Sequence, residues 1–154
     1  MPTKRTKHLW TWMSRYIRLR DAYNSGFCLC PTCNHVAPPK DMEAGHCFPK
    51  GSYKYRSLEF NEMNVHAQCG GCNNWRMRQP EYQERFERHI RERWGDKKID
   101  DMLALALSGK DGKRSDYKIN AQKEYYKQRT YELLEEKGIE RWWRTKKNGE
   151  DYDD

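Results

Sequence analysis

The sequence predicts an α+β fold in which a short cysteine-clamped segment stands between a basic amphipathic helix and a run of further helices. Three observations carry this. Residues 27–78 are too poor in aliphatic side chains to fold by burial alone, yet they hold two Cys-x-x-Cys pairs, Cys30 with Cys33 and Cys69 with Cys72. Before them Trp10, Met13 and Ile17 fall at helical spacing, and after them Tyr82, Phe86, Ile90 and Trp94 recur every fourth residue. One domain of 154 residues is expected, divided into a basic helix (1–26), the clamped core (27–78), a helical extension (79–138) and a tail (139–154).

Each element has its own signals. Arg15, Arg18 and Arg20 lie between and beyond the first apolar positions, so residues 8–23 read as a helix that Asn24-Ser25-Gly26 ends. Pro80 suits a first helical turn and Gly95 a stop. Ile99, Met102, Leu103, Ala106 and Leu107 form a second stripe, and residues 108–112 a loop. Ser115 is placed to cap a third helix, Asp116 to Lys137, with Ile119, Tyr126 and Leu133 spaced by sevens and Gly138 closing it. Trp10, Tyr82, Phe86 and Trp94 are assigned to packing, and the acidic end, residues 150–154, to a frayed tail.

Composition narrows the class. Leu, Ile, Val and Phe total only 20 residues of 154, below the roughly 20 % level at which disorder becomes a serious alternative. Six Trp and ten Tyr can fill a core in their place. The longest apolar run, Met102 to Leu107, is far short of the about 20 residues a membrane span needs. Charge breaks the apolar positions of the first twenty residues, which excludes a signal-peptide core. A reducing, cytoplasmic setting is therefore expected, and a net charge of +7 suits a polyanionic partner.

In such a setting paired Cys-x-x-Cys knuckles point to one tetrahedral zinc held by Cys30, Cys33, Cys69 and Cys72, rather than to disulfides. Four thiolates leave no open coordination position, so this zinc is expected to be structural. Cys28 is a possible competitor of Cys30, and Cys47 lies beside the candidate active site; both are assigned as spectators.

Between the knuckles lie Glu43-Ala44-Gly45-His46 and Asn64-Val65-His66, and Asn73-Asn74 follows the second. Two short strands and a helix would bring His46 and Asn73 to opposite sides of one small cleft. There a neutral imidazole can take a proton from water, and a hard divalent ion on oxygen ligands can stabilise charge on a phosphate and its leaving oxygen. Lys50, Lys54, Arg56, Arg76 and Arg78 are placed to grip flanking phosphates, with Arg15 and Arg18 extending the track. The bland reading of those cations is a solvated surface.

The residues resemble the His-Asn-His nucleases of ββα-metal fold, and within them the lambdoid-phage NinG family, also called Rap. The likeness is carried by Ser14-Arg15-Tyr16-Ile17-Arg18-Leu19-Arg20-Asp21-Ala22, the first knuckle, Ala44-Gly45-His46, residues 64–69 from Asn64 to Cys69, Cys72-Asn73 and Glu81-Tyr82. It implies a zinc-stapled ββα-metal core with His46 as general base. It also implies Asn64 as the residue bracing the loop behind the base, and Asn73 as a ligand of the catalytic metal. Asn replaces His at the third motif position, which favours Mg²⁺ or Mn²⁺ over softer ions. Gly45 stands where many such enzymes have an acidic ligand; Glu43 is taken as its substitute and His66 as a further candidate ligand.

The resemblance further implies a structure-selective endonuclease cutting branched DNA such as Holliday junctions during phage recombination, in the host bacterial cytoplasm. Symmetric resolution implies a homodimer, and recombination proteins are possible partners. The alternatives are a zinc-stabilised DNA-binding adaptor that does not cut, and a nuclease acting on ordinary duplex or RNA.

Overall fold

The structure, a computed structural model, describes residues 3–109, 114–145 and 147. It is an α+β arrangement of helices around two very small sheets. Helix α1 runs from Lys4 to Arg20, starting four residues earlier than the apolar stripe alone indicates because the Thr3 side chain accepts from the Thr6 N–H and caps it. Strands β1 (Cys28–Leu29) and β2 (Val36–Ala37) pair antiparallel, Leu29 opposite Val36. Asn34 takes the left-handed conformation in the turn between them, one that Asn adopts more readily than most residues.

Strands β3 (Glu43–His46) and β4 (Val65–Gln68) form the second antiparallel pair, with Gly45 opposite His66 and His46 opposite Val65. The short helix α2 (Gly70–Asn74) follows directly. A 3₁₀ helix, Tyr53–Leu58, occupies the connection from β3 to β4, and another, Arg76–Arg78, follows α2.

The remaining helices are α3 (Pro80–Trp94), α4 (Asp96–Leu107) and α5 (Asp116–Lys137). Gly95 ends α3 at φ 90° and Gly138 ends α5 at φ 61°, backbone conformations that favour glycine. Ser115 caps α5 through its side chain as the sequence indicates. Positions 110–112 of the anticipated loop and the acidic end at 150–154 lie outside the described residues. Among the described residues no helix is long and apolar enough to cross a membrane.

Aliphatic poverty is met by three small cores rather than one large one. The first joins α1 to α5 and sets aromatic rings among its aliphatic side chains: Tyr16 lies 5.1 Å from Tyr126 and Trp12 6.0 Å from Trp143, centroid to centroid. Beyond α5, Trp143 is buried against α1. The second packs Phe86, Ile90, Ile99 and Met102 of α3 and α4 beneath Phe48 and Leu58. The third gathers Cys28, Ala37, Met42 and Ala67 around the cysteine knuckles. Ala44 and Val65 enter the first core, Ala67 the third, and Cys47 and Phe48 just beyond β3 the second. The β3–β4 hairpin is thereby fixed from three sides.

Candidate functional site

The two knuckles meet. The Sγ atoms of Cys30, Cys33, Cys69 and Cys72 all lie within 4.8 Å of one another, and Cys33 Sγ is 3.7 Å from Cys69 Sγ. Zinc–sulfur bonds of about 2.3 Å in a tetrahedron set sulfurs about 3.8 Å apart, so the cluster fits one structural zinc. Burial opposes the thiolates of Cys30, Cys33 and Cys69. At Cys30, hydrogen bonds from Thr32 and backbone N–H groups overcome that effect and lower the thiol, whereas burial raises Cys33 and Cys69. A bound dication would add countercharge to that of Arg76, whose guanidinium donates to Cys72 Sγ at 3.8 Å. Cys28, whose thiol donates to the Arg18 carbonyl at 3.2 Å and is pushed by burial to about 12, and the buried Cys47 stand outside the cluster.

The clamp holds α2 against β3, and a cleft of about 470 Å³ opens along that strand. Glu43, His46 and Asn73 line it together, with Asn74 beside them and Trp10, Ser14 and Arg18 of α1 opposite. Glu43 Oε2 accepts from Asn73 Nδ2 at 2.6 Å, and both carboxylate oxygens accept from Asn74 Nδ2 at 3.1 Å. Since a carboxylate only accepts, the Asn73 amide nitrogen must face Glu43, which turns Oδ1 toward Gly45. A Cβ at position 45 would lie 3.0 Å from that oxygen and 2.1 Å from Gln68 Oε1. Glycine here is the condition for α2 to approach the strand.

His46 Nε2 lies 2.9 Å from the Glu59 carbonyl oxygen. A carbonyl can only accept, so Nε2 carries the hydrogen and Nδ1 the lone pair that can take a proton. The ring stacks on Trp10 at 4.9 Å and 19°, and the Lys50 ammonium sits 4.7 Å from the same indole. Burial, opposed by the Glu59 carbonyl and aided by the Lys50 charge, pushes the imidazole down to about 4. Behind it Asn64 is fully buried: Oδ1 accepts from the Phe48 N–H at 2.7 Å, and Nδ2 donates to the carbonyls of Phe48 and Leu58. It ties the chain leaving His46 to the far end of the connection.

His66 is placed elsewhere. As the cross-strand partner of Gly45 it leaves the hairpin on the face opposite to His46. Its Nε2 accepts from the Trp94 indole N–H at 3.2 Å, and its Nδ1 lies 3.3 Å from Asp21 Oδ2. The Asp21 carboxylate also accepts from Arg20, Arg93 and the Ala67 N–H, and despite its burial the His66 hydrogen bond and the Arg20 charge hold it well below the usual range. This knot ties the end of α1 to β4.

The cations divide. Lys50 and Arg18 line the cleft, and Lys54, Arg56, Arg76 and Arg78 are exposed on segments that flank it. Arg15 corrects the sequence reading: at 1 % exposure it lies between the rings of Trp12 and Trp143, 4.8 and 4.5 Å from their centroids, and has no access to a phosphate. Trp10 packs against the first core as expected and also lines the cleft. The signal that would have found it is the spacing of Trp10, Ser14 and Arg18, four apart and therefore one helix face. Asn74 was signalled only by its repetition of Asn73.

No curated protein and no solved structure matches the chain. The family model described as Bacteriophage Lambda NinG protein matches residues 4–137. That span runs from the start of α1 to the end of α5 and takes in the thiolate cluster and the whole cleft, so the chain belongs to the NinG family.

Proposed function

We propose that the protein is a metal-dependent DNA endonuclease of the His-Asn-His type, acting on branched DNA in phage recombination. The observation that carries the reading is the convergence of His46, Glu43 and Asn73 on one cleft. His46 serves as general base: its Nε2–H is held by the Glu59 carbonyl, and Nδ1 takes the proton of the attacking water. Trp10 fixes the plane of the ring. Glu43, with the Asn73 amide turned over so that Oδ1 replaces Nδ2 beside the carboxylate, would form the hard donor set for Mg²⁺ or Mn²⁺. When bound, such an ion supplies Lewis-acid stabilisation of charge on the phosphate and the leaving oxygen. Lys50 and Arg18 bind and orient the backbone, while the four-cysteine zinc keeps α2 in place.

One observation favours a second reading, a zinc-stabilised adaptor that binds DNA without cutting. Gly45 brings no carboxylate to the cleft, and Glu43 is already engaged by two amides. The readings separate when the protein and a His46→Ala variant are incubated with four-way, three-way and linear DNA in Mg²⁺, in Mn²⁺ or with no added divalent ion. Cleavage of the branched substrates by the parent, metal-dependent and reduced on the order of 10²- to 10⁴-fold in the variant, is expected. Equal cleavage by both proteins removes His46 from the chemistry, binding without products favours the adaptor, and equal cutting of linear duplex removes the preference for branches.

A further inference from the structure

Two aromatic side chains stand almost free in solvent beside the cleft, and each carries an arginine on its ring. Tyr53 is 89 % exposed and Trp75 69 %. The Arg56 guanidinium lies 5.9 Å from the Tyr53 ring centre, and that of Arg78 lies 5.7 Å from Trp75. The two pairs are built alike: residues three apart at a 3₁₀ helix, Tyr53 opening Tyr53–Leu58 and Trp75 immediately preceding Arg76–Arg78, where positions i and i+3 eclipse. Each also adjoins a cleft residue. Tyr53 follows Lys50 by three positions, and Trp75 follows Asn74 directly.

Their surroundings select the occupant. Residues 44–58 and 63–80, the two stretches that contain the pairs, carry five lysines and arginines and no aspartate or glutamate. Such a surface repels acidic proteins and attracts a polyanion. An exposed indole or phenol ring with a guanidinium beside it meets the requirements for nucleobase stacking, since every base has a π-face and the cation is attracted to the same stack. In an intact duplex the base faces are already stacked on one another, so only unpaired or splayed bases can use the rings.

We propose that Tyr53 with Arg56 and Trp75 with Arg78 form two stacking platforms for unpaired DNA bases flanking the phosphodiester in the cleft. The inference rests on the cleft binding DNA and extends that reading from backbone contact to recognition of single-stranded character. It places the preference for branched or open DNA in two rings, not in the phosphate contacts.

The test measures equilibrium binding by the His46→Ala protein in buffer without added Mg²⁺ or Mn²⁺ and without chelator, so that no cleavage intervenes and the four-cysteine site keeps its metal. The probes are a fluorescently labelled oligothymidylate, a four-way junction carrying 2-aminopurine at its branch point, and a fully paired duplex. Removing one platform by Trp75→Ala or Tyr53→Ala should weaken binding to the single strand by about 5- to 150-fold. It should also abolish the 2-aminopurine quenching and change duplex affinity far less, while Trp75→Phe restores most of the loss. Unchanged single-strand affinity in both alanine variants, or an equal loss on all three probes, overturns the platforms and leaves DNA binding by the cleft standing. Absence of binding to every probe by the His46→Ala parent overturns both and turns the exposed rings into a surface for a protein partner.

Discussion

At residue scale the protonation of His46 sets what the cleft can do. Its imidazole and that of His66 are held by burial at about 4, against an unfolded value near 6.5. Between those values the unfolded chain binds more protons than the fold. Stability is therefore full above about pH 6.5 and falls as pH drops toward 4, by on the order of 1.4 kcal/mol per pH unit for each imidazole. The imidazole remains neutral through most of that range, as the proposed role of base requires. Ring-proton NMR should show both histidines unmoved from pH 8 to 5; titration of His46 near 6.5 would mean that the ring is solvated and Trp10 does not cover it. Reading Asn64 as a brace came from the resemblance to the His-Asn-His motif, and its hydrogen bonds to Phe48 and Leu58 suit that role. No local pattern separated His46 from His66, since both are histidines on adjacent strands and differ only in the face they leave.

At the scale of elements, the hairpin and α2 depend on a close approach and on a clamp. In Gly45→Ala the new methyl would meet Gln68 Oε1 and Asn73 Oδ1, and since Gln68 is fully buried its side chain has little room to retreat. The variant should stay folded by circular dichroism but lose most metal-dependent cutting; full activity would show that α2 tolerates displacement. Removing zinc is a harsher change, because the third core is built on the knuckles themselves. A chelator is expected to strip protease resistance from residues 27–78 and to lower far-UV ellipticity, and retention of both in metal-free protein would show that packing alone holds the segment. The later helices were readable because caps and stops are local: Ser115 at a start, Gly95 and Gly138 at ends. The first helix was misplaced at its start because its opening turn, Lys4 to Lys7, carries no apolar residue.

For the molecule as a whole, charge and partner meet. If Lys50, Lys54, Arg56, Arg76 and Arg78 each neutralise one phosphate, the salt slope on duplex DNA is about −4.5, and raising salt from 50 to 200 mM costs about 500-fold in affinity. Lys50→Ala should flatten that slope by about one. Arg15→Ala should leave it unchanged and instead destabilise the protein by about 2 kcal/mol, since the guanidinium is buried between two indoles; chemical denaturation and salt-titrated binding together check both. The sequence by itself determined the ends of α3 and α5, the four sulfurs and the order of His46, Asn64 and Asn73, because caps, knuckles and motif order are properties of neighbouring positions. Only the tertiary structure decided that Arg15 is buried while Arg18 reaches the cleft, that Trp10 covers His46, and that His66 belongs to a knot with Asp21. Periodicity fixes which residues share a face. What that face meets is set by the docking of α1 onto β3 and α5, between segments far apart along the chain.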